Sequence, residues 1–190
     1  WFLGFPFFQK YKFVLNHNSK QIGFYNPNKN TITLNKAFSK DKLQSCLIHE
    51  GKHSIQDHNL NAHDDAFYNF ASTTMKNRAM EADAMMTQTM FSYELMQKGD
   101  SAAWKCLETG YPWVTDAYKA NVDTCGTDTN KVMKNTMLAW YKDKGYVKSY
   151  DATVVNFYAN LISKAPSDLV FKMATKEQNA DSVITKVCNM

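Results

Sequence analysis

His49-Glu50-Gly51-Lys52-His53 is the run of this sequence whose residue types and spacing carry the most chemistry. On a helix, residues four apart lie one above the other, so the two imidazoles can reach a single cation. Glu50 is rotated about 100° from His49, which sets its carboxylate beside that cation rather than on it. There it can take a proton from a cation-bound water. The chain holds five His and five Glu. Roughly 0.003 such arrangements would arise by chance from those numbers, so the pattern is specific. Two of its residues are unusual. Lys52 puts a charge inside the run, and Gly51 weakens a helix by about 1 kcal/mol relative to Ala. A costly glycine can mark the close approach of another backbone.

Zinc bound by two histidines needs a third protein ligand and an open position for water. The elongated form of this pattern, seen in metzincins, would need Gly and His where this sequence has Gln56 and Asn59, so that class is excluded. His58 lies about 140° round the helix from His53 and cannot share its metal. His58 reads as a surface residue, and His63 as a surface or pocket-rim residue. A carboxylate from a second helix is the other solution. Met80-Glu81-Ala82-Asp83-Ala84 offers two, which point to opposite sides, so only one can face the metal. Spacing favours Glu81 over Asp83. Ala82 and Ala84 let this helix approach the first closely.

Those side chains must be held by a scaffold, and the sequence describes one. Over the first forty residues, Tyr11, Phe13 and Leu15, then Ile22 and Phe24, then Thr31-Ile32-Thr33-Leu34, alternate as strands do. Turn signals at Asn16-His17-Asn18-Ser19 and Asn26-Pro27-Asn28-Lys29-Asn30 separate them. The expectation is a small antiparallel meander. From Ser39, a reasonable N-cap, a helix is predicted over Lys40 to His58, with Asp41 in its first turn. A second is expected from near Ala66 and a third from about Asn77 to Lys98, stopped by Gly99. The remainder reads as helical, with segments at Asn130–Asp143, Asp151–Lys164 and Ser167–Lys176. Strands first and helices after make an α+β fold. We expect residues 1–190 to form one zincin-like domain, a metal-binding core over 1–98 followed by a helical portion over 99–190.

Composition narrows the function classes. The net charge is +4 with the lysines scattered, so no basic stripe suits nucleic acid. No run of eighteen apolar residues spans a membrane, which points to a soluble protein. Cys46, Cys106, Cys125 and Cys188 have no CxxC spacing. Cys106 and Cys125 either pair in an oxidising compartment or stay buried thiols, and the compartment is open. Five methionines between Met80 and Met96 serve better as core filler than as a copper site. The first residue is Trp, so the chain is expected to be cut from a longer one, with residues 1–8 packed as a strand or docking segment.

The run from Ile32-Thr33-Leu34-Asn35 through Leu47-Ile48-His49-Glu50-Gly51-Lys52-His53 to Glu81-Ala82-Asp83-Ala84-Met85 resembles compact gluzincin-type metallopeptidases, the ImmA/IrrE-type group among them. The likeness covers roughly residues 20–98. It implies that Glu81 completes a site for one zinc ion, and that Thr31, Ile32, Thr33 and Leu34 form a strand pairing with substrate backbone. The helix-turn-helix segment that often accompanies repressor-cleaving members is absent from the sequence, so substrate identity does not carry over. A peptidase also needs donors for the tetrahedral oxyanion, for which His63, Tyr141, Tyr146 and Tyr150 are candidates. The expected activity is hydrolysis of a peptide or protein substrate through zinc-activated water with Glu50 as base. The alternative is a catalytically silent binding or regulatory module that keeps zinc as a staple.

Overall fold

A computed structural model describes residues 12–17, 20–60, 68–126, 128–166, 169 and 175–188. The expected segment at residues 1–8 lies outside these. The chain is α+β, a small three-stranded N-terminal sheet followed by a mostly helical remainder.

The strands are β1 (Lys12–Asn16), β2 (Gly23–Asn26) and β3 (Thr31–Asn35). They lie in the order β1-β3-β2, with β1 parallel and β2 antiparallel to β3. This corrects two expectations. The sheet is mixed rather than an antiparallel meander, and Thr31, Ile32, Thr33 and Leu34 sit at its centre with both sides paired. The reason lies in what β3 must bury: all five of its residues are buried, whereas Phe13 and Leu15 of β1 stay exposed. β3 therefore needs a neighbour on each side. Lys12 N–H to Asn30 O and Lys36 N–H to Asn16 O lock β1 onto it. Between β2 and β3, Asn26 caps the turn Pro27–Lys29 through Lys29 N–H, and Asn30 closes it at φ 47°, a left-handed conformation that Asn tolerates.

Helix α1 (Lys40–Leu60) starts where Ser39 O accepts from Leu43 N–H. Helix α2 (Phe70–Gln97) is continuous, where two helices were expected. No Gly or Pro interrupts it, and Asn69 caps its start by accepting from Ser72 N–H at 2.8 Å. Gly99, at φ 94°, ends it as foreseen: Gly99 N–H reaches Met96 O and Asp100 N–H reaches Leu95 O. Then come α3 (Ala102–Gly110), α4 (Pro112–Cys125), α5 (Thr129–Trp140), α6 (Lys144–Lys164) and α7 (Ala180–Cys188). The expected helix at Ser167–Lys176 lies largely outside the described residues; Lys176 itself bridges to Tyr68.

α2 is the spine. It packs against α1, α3, α4, α5, α6 and α7. Ala82, Met85 and Met86 join Leu107, Val114, Trp140 and Val147 in one core cluster, while Ala79 meets Val183 and Val187 of α7. On the other flank, Ile32, Leu34 and Cys46 join sheet to α1. All four cysteines are free thiols. Among the described residues, no helix is long and apolar enough to cross a membrane.

Candidate active site

The α1 and α2 helices lie side by side, and Glu81 comes from the middle of α2 to meet one face of α1. His49 Nε2 and His53 Nε2 are 3.1 Å apart, and Glu81 Oε2 lies 3.4 Å from the first and 3.5 Å from the second. Four tetrahedral ligands at zinc bond lengths of 2.0–2.1 Å are separated by about 3.3 Å, so the triangle has the size of one tetrahedral face. Glu81 Oε2 is buried and has no hydrogen-bond partner among the described residues. Contacts of 3.4–3.5 Å are also long for charge-assisted hydrogen bonds. An orphaned buried oxygen and two imidazole nitrogens aimed at one point fit a divalent cation with one position left open. Asp83 is not in this cluster, which consists of His49, His53 and Glu81.

Charge is concentrated here. Burial alone pushes the Glu81 carboxyl up, but the two imidazoles outweigh it and hold the group at about 2. Burial likewise opposes a charged His53, yet Glu81 and then Glu50 lift that imidazole to about 9. Behind the nitrogens that face Glu81, each ring meets a glutamine: His49 Nδ1 lies 3.1 Å from Gln88 Oε1, and His53 Nδ1 lies 2.9 Å from Gln56 Oε1. Lys52, the odd charge of the run, pairs with Asp83 across the helix interface at 3.0 Å. Burial raises the Asp83 carboxyl against the pull of Lys52 and Gln56.

Glu50 is buried, and its Oε2 accepts from the backbone N–H of Tyr25 at 2.8 Å. The Cys46 thiol stands 3.9 Å from Oε1; burial, then Glu50, pushes it up to about 12, so it stays protonated. The strand can come this close because residue 23 is glycine. A Cβ there would fall 2.8 Å from Cys46 Sγ, 2.8 Å from Leu34 Cδ2 and 2.9 Å from Thr33 O. Gly51 has no such reason, since a Cβ would meet nothing within 4 Å.

His49, Glu50, His53 and Glu81 share a cavity of about 710 Å³. One wall is β2, whose far side carries no other strand among the described residues. Tyr111, Tyr146 and Tyr150 also line it, with the hydroxyls of the last two 3.1 Å apart. Of the four oxyanion candidates, Tyr146 and Tyr150 line this cavity. Tyr141 is not among its described lining residues and instead stacks on Trp140, 38% exposed. His63 lies outside the described residues. The Thr31–Leu34 strand does not border the cavity either, and β2 takes its place.

Sequence reasoning missed Gly23, the Tyr25 amide and both glutamines. The glutamines had left a signal: Gln56 is three residues after His53 and Gln88 seven after Glu81, on the same helix faces. The amide had none, because a backbone group has no side-chain signature.

No curated protein and no solved structure matches the chain. Residues 9–190 match a family described as a putative metallopeptidase family (DUF6782), and with nearly the whole chain covered, the protein belongs to that family.

Proposed function

We propose that the protein is a zinc-dependent peptidase in which His49, His53 and Glu81 hold one zinc ion and Glu50 is the general base. The observation that carries this reading is the convergence of two imidazole nitrogens and an orphaned carboxylate oxygen within 4.8 Å of one another. Bound there, zinc would supply Lewis acidity, lowering the pKa of a water and polarising a peptide carbonyl.

The chain's own residues supply the rest. Tyr25 N–H fixes one Glu50 oxygen, which leaves the other to take the proton of the attacking water and return it to the leaving amine. Tyr146 and Tyr150 are the oxyanion donors. Burial above all, then the neighbouring phenols for Tyr146 and Glu81 for Tyr150, raises both phenols well above their ordinary value, so they stay protonated. An extended peptide would add to the side of β2 away from β3, through backbone groups other than the Tyr25 N–H that Glu50 already holds.

The test is Glu50→Gln, which keeps size and hydrogen bonding but cannot accept a proton. One equivalent of zinc should remain bound. Cleavage of a peptide library should fall by about 10²–10⁴-fold, the usual contribution of general-base catalysis. Equal cleavage by both proteins would rule Glu50 out as the base. Zinc binding with no cleavage by either would favour the silent, zinc-stapled module.

A further inference from the structure

We propose that Gln56, Asp83 and Lys52 form a relay that positions His53 as a metal ligand, with Asp83 as its anchoring carboxylate. The proposal rests on the metal-site reading above and assigns work to three residues that touch neither metal nor substrate.

Gln56 is fully buried, and its two ends have different partners. Its Nε2 lies 2.7 Å from Asp83 Oδ2 and 3.0 Å from Met80 O. A carboxylate and a carbonyl only accept, so the amino end must be the one placed there. The other end is therefore a carbonyl oxygen, 2.9 Å from His53 Nδ1. A carbonyl oxygen cannot donate, so Nδ1 must carry the hydrogen. In the neutral imidazole that leaves Nε2 to present its lone pair beside Glu81, which is the tautomer a cation requires.

Lys52 completes the chain. Its Nζ is 3.0 Å from the same Asp83 Oδ2, so the buried carboxylate has a cation and an amide as donors. Without Lys52, an almost fully buried Asp83 would keep only the neutral amide, which is costly. Glu81 and Asp83, two residues apart on α2, thus point to different sides of one site. One faces the metal and the other pins the imidazole from behind. His49 is held differently: its Gln88 ends on the neutral hydroxyl of Ser45 at 2.7 Å, with no charge in the chain.

The test is zinc affinity by chelator competition on the full chain, with the visible spectrum of the cobalt(II)-substituted protein as a second readout. Gln56→Leu removes the acceptor, Asp83→Asn removes the anchor, and Gln56→Glu sets two carboxylates against each other. Each should weaken zinc binding by about 10–100-fold, the usual range for outer-sphere partners, while one zinc still binds at saturation. The double variant Gln56→Glu/Asp83→Asn restores the pairing with His53 Nδ1 and with position 83, and leaves Met80 O without the donor that Gln56 supplied. It should bind zinc more tightly than Gln56→Glu alone and move the cobalt spectrum back toward that of the parent. Should Gln56→Leu fail to fold, Lys52→Met at the outer end of the relay is the substitute, expected to cost about three- to tenfold. Parental affinity in all single variants, or losses in the double variant that simply add, would overturn the relay. A parent chain that binds no zinc would overturn the metal site itself.

Discussion

Glu81 holds a buried oxygen with no hydrogen-bond partner among the described residues, 3.4 and 3.5 Å from two imidazole nitrogens. The two imidazoles offset its desolvation only through contacts too long for good hydrogen bonds, and a cation would bond to it directly. Glu81→Ala should therefore abolish stoichiometric zinc, whereas Asp83→Asn should leave one equivalent at saturation. Elemental analysis decides, and the reverse result would exchange the two roles. The same contact sets a proton count. In the metal-free chain burial opposes a charged His53, but Glu81 and Glu50 lift it to about 9, so at pH 7 it carries a proton. Metal takes the neutral imidazole. Zinc uptake at pH 7 should thus release about one proton, and less as pH rises past the His53 value. Calorimetry in buffers of different ionisation heat measures it, and no release would contradict the charge state. The stabilising effect of this pairing on the metal-free protein is present below the ordinary histidine range. It is lost as pH rises through about 9.

At the scale of elements, two glycines separate by their surroundings. Gly23→Ala forces a Cβ against Cys46 Sγ and the backbone oxygen of Thr33, so it should destabilise by about 1–3 kcal/mol. It should also lower activity, because β2 must retreat from α1 and take the Tyr25 amide from Glu50. Gly51→Ala meets nothing and should stabilise by up to about 1 kcal/mol through helix propensity. Urea unfolding of both variants checks the pair, and a harmless Gly23→Ala would mean that the strand does not need its close approach. These glycines also mark how far the sequence was legible. Helix α1, the Gly99 stop and the α+β order follow from caps, breakers and local period, which are written within a few residues. The strand order does not. Whether β1 pairs with β2 or β3 is decided by how much of β3 must be buried, a property of the assembled sheet. The same holds within the site: the HExxH spacing placed His49 and His53 on one helix face, while Tyr25 reaches Glu50 from 25 residues away through a backbone group.

For the whole molecule, the proposed ligation would tie α1 to α2, and α2 packs against each of the other α-helices described. Zinc present at about 100 times its dissociation constant would add about 2.7 kcal/mol to stability. For a chain of this size chelation should then lower the melting temperature by roughly 5–10 °C. An unchanged transition after complete metal removal would argue against a native-state site. The order of the elements along the chain has a consequence for synthesis. His49, His53 and Glu81 all belong to the α1–α2 pair, but the tyrosines that line the cavity with them stand on or next to later helices, Tyr111 just before α4 and Tyr146 and Tyr150 on α6. A growing chain leaves the ribosome with the three residues proposed as metal ligands complete some thirty residues ahead of Tyr111 and more than sixty ahead of Tyr146 and Tyr150. Metal capture and catalytic competence would thereby be separated in time. A nascent protein could load its cation while it still lacks the hydroxyls that would steady an oxyanion.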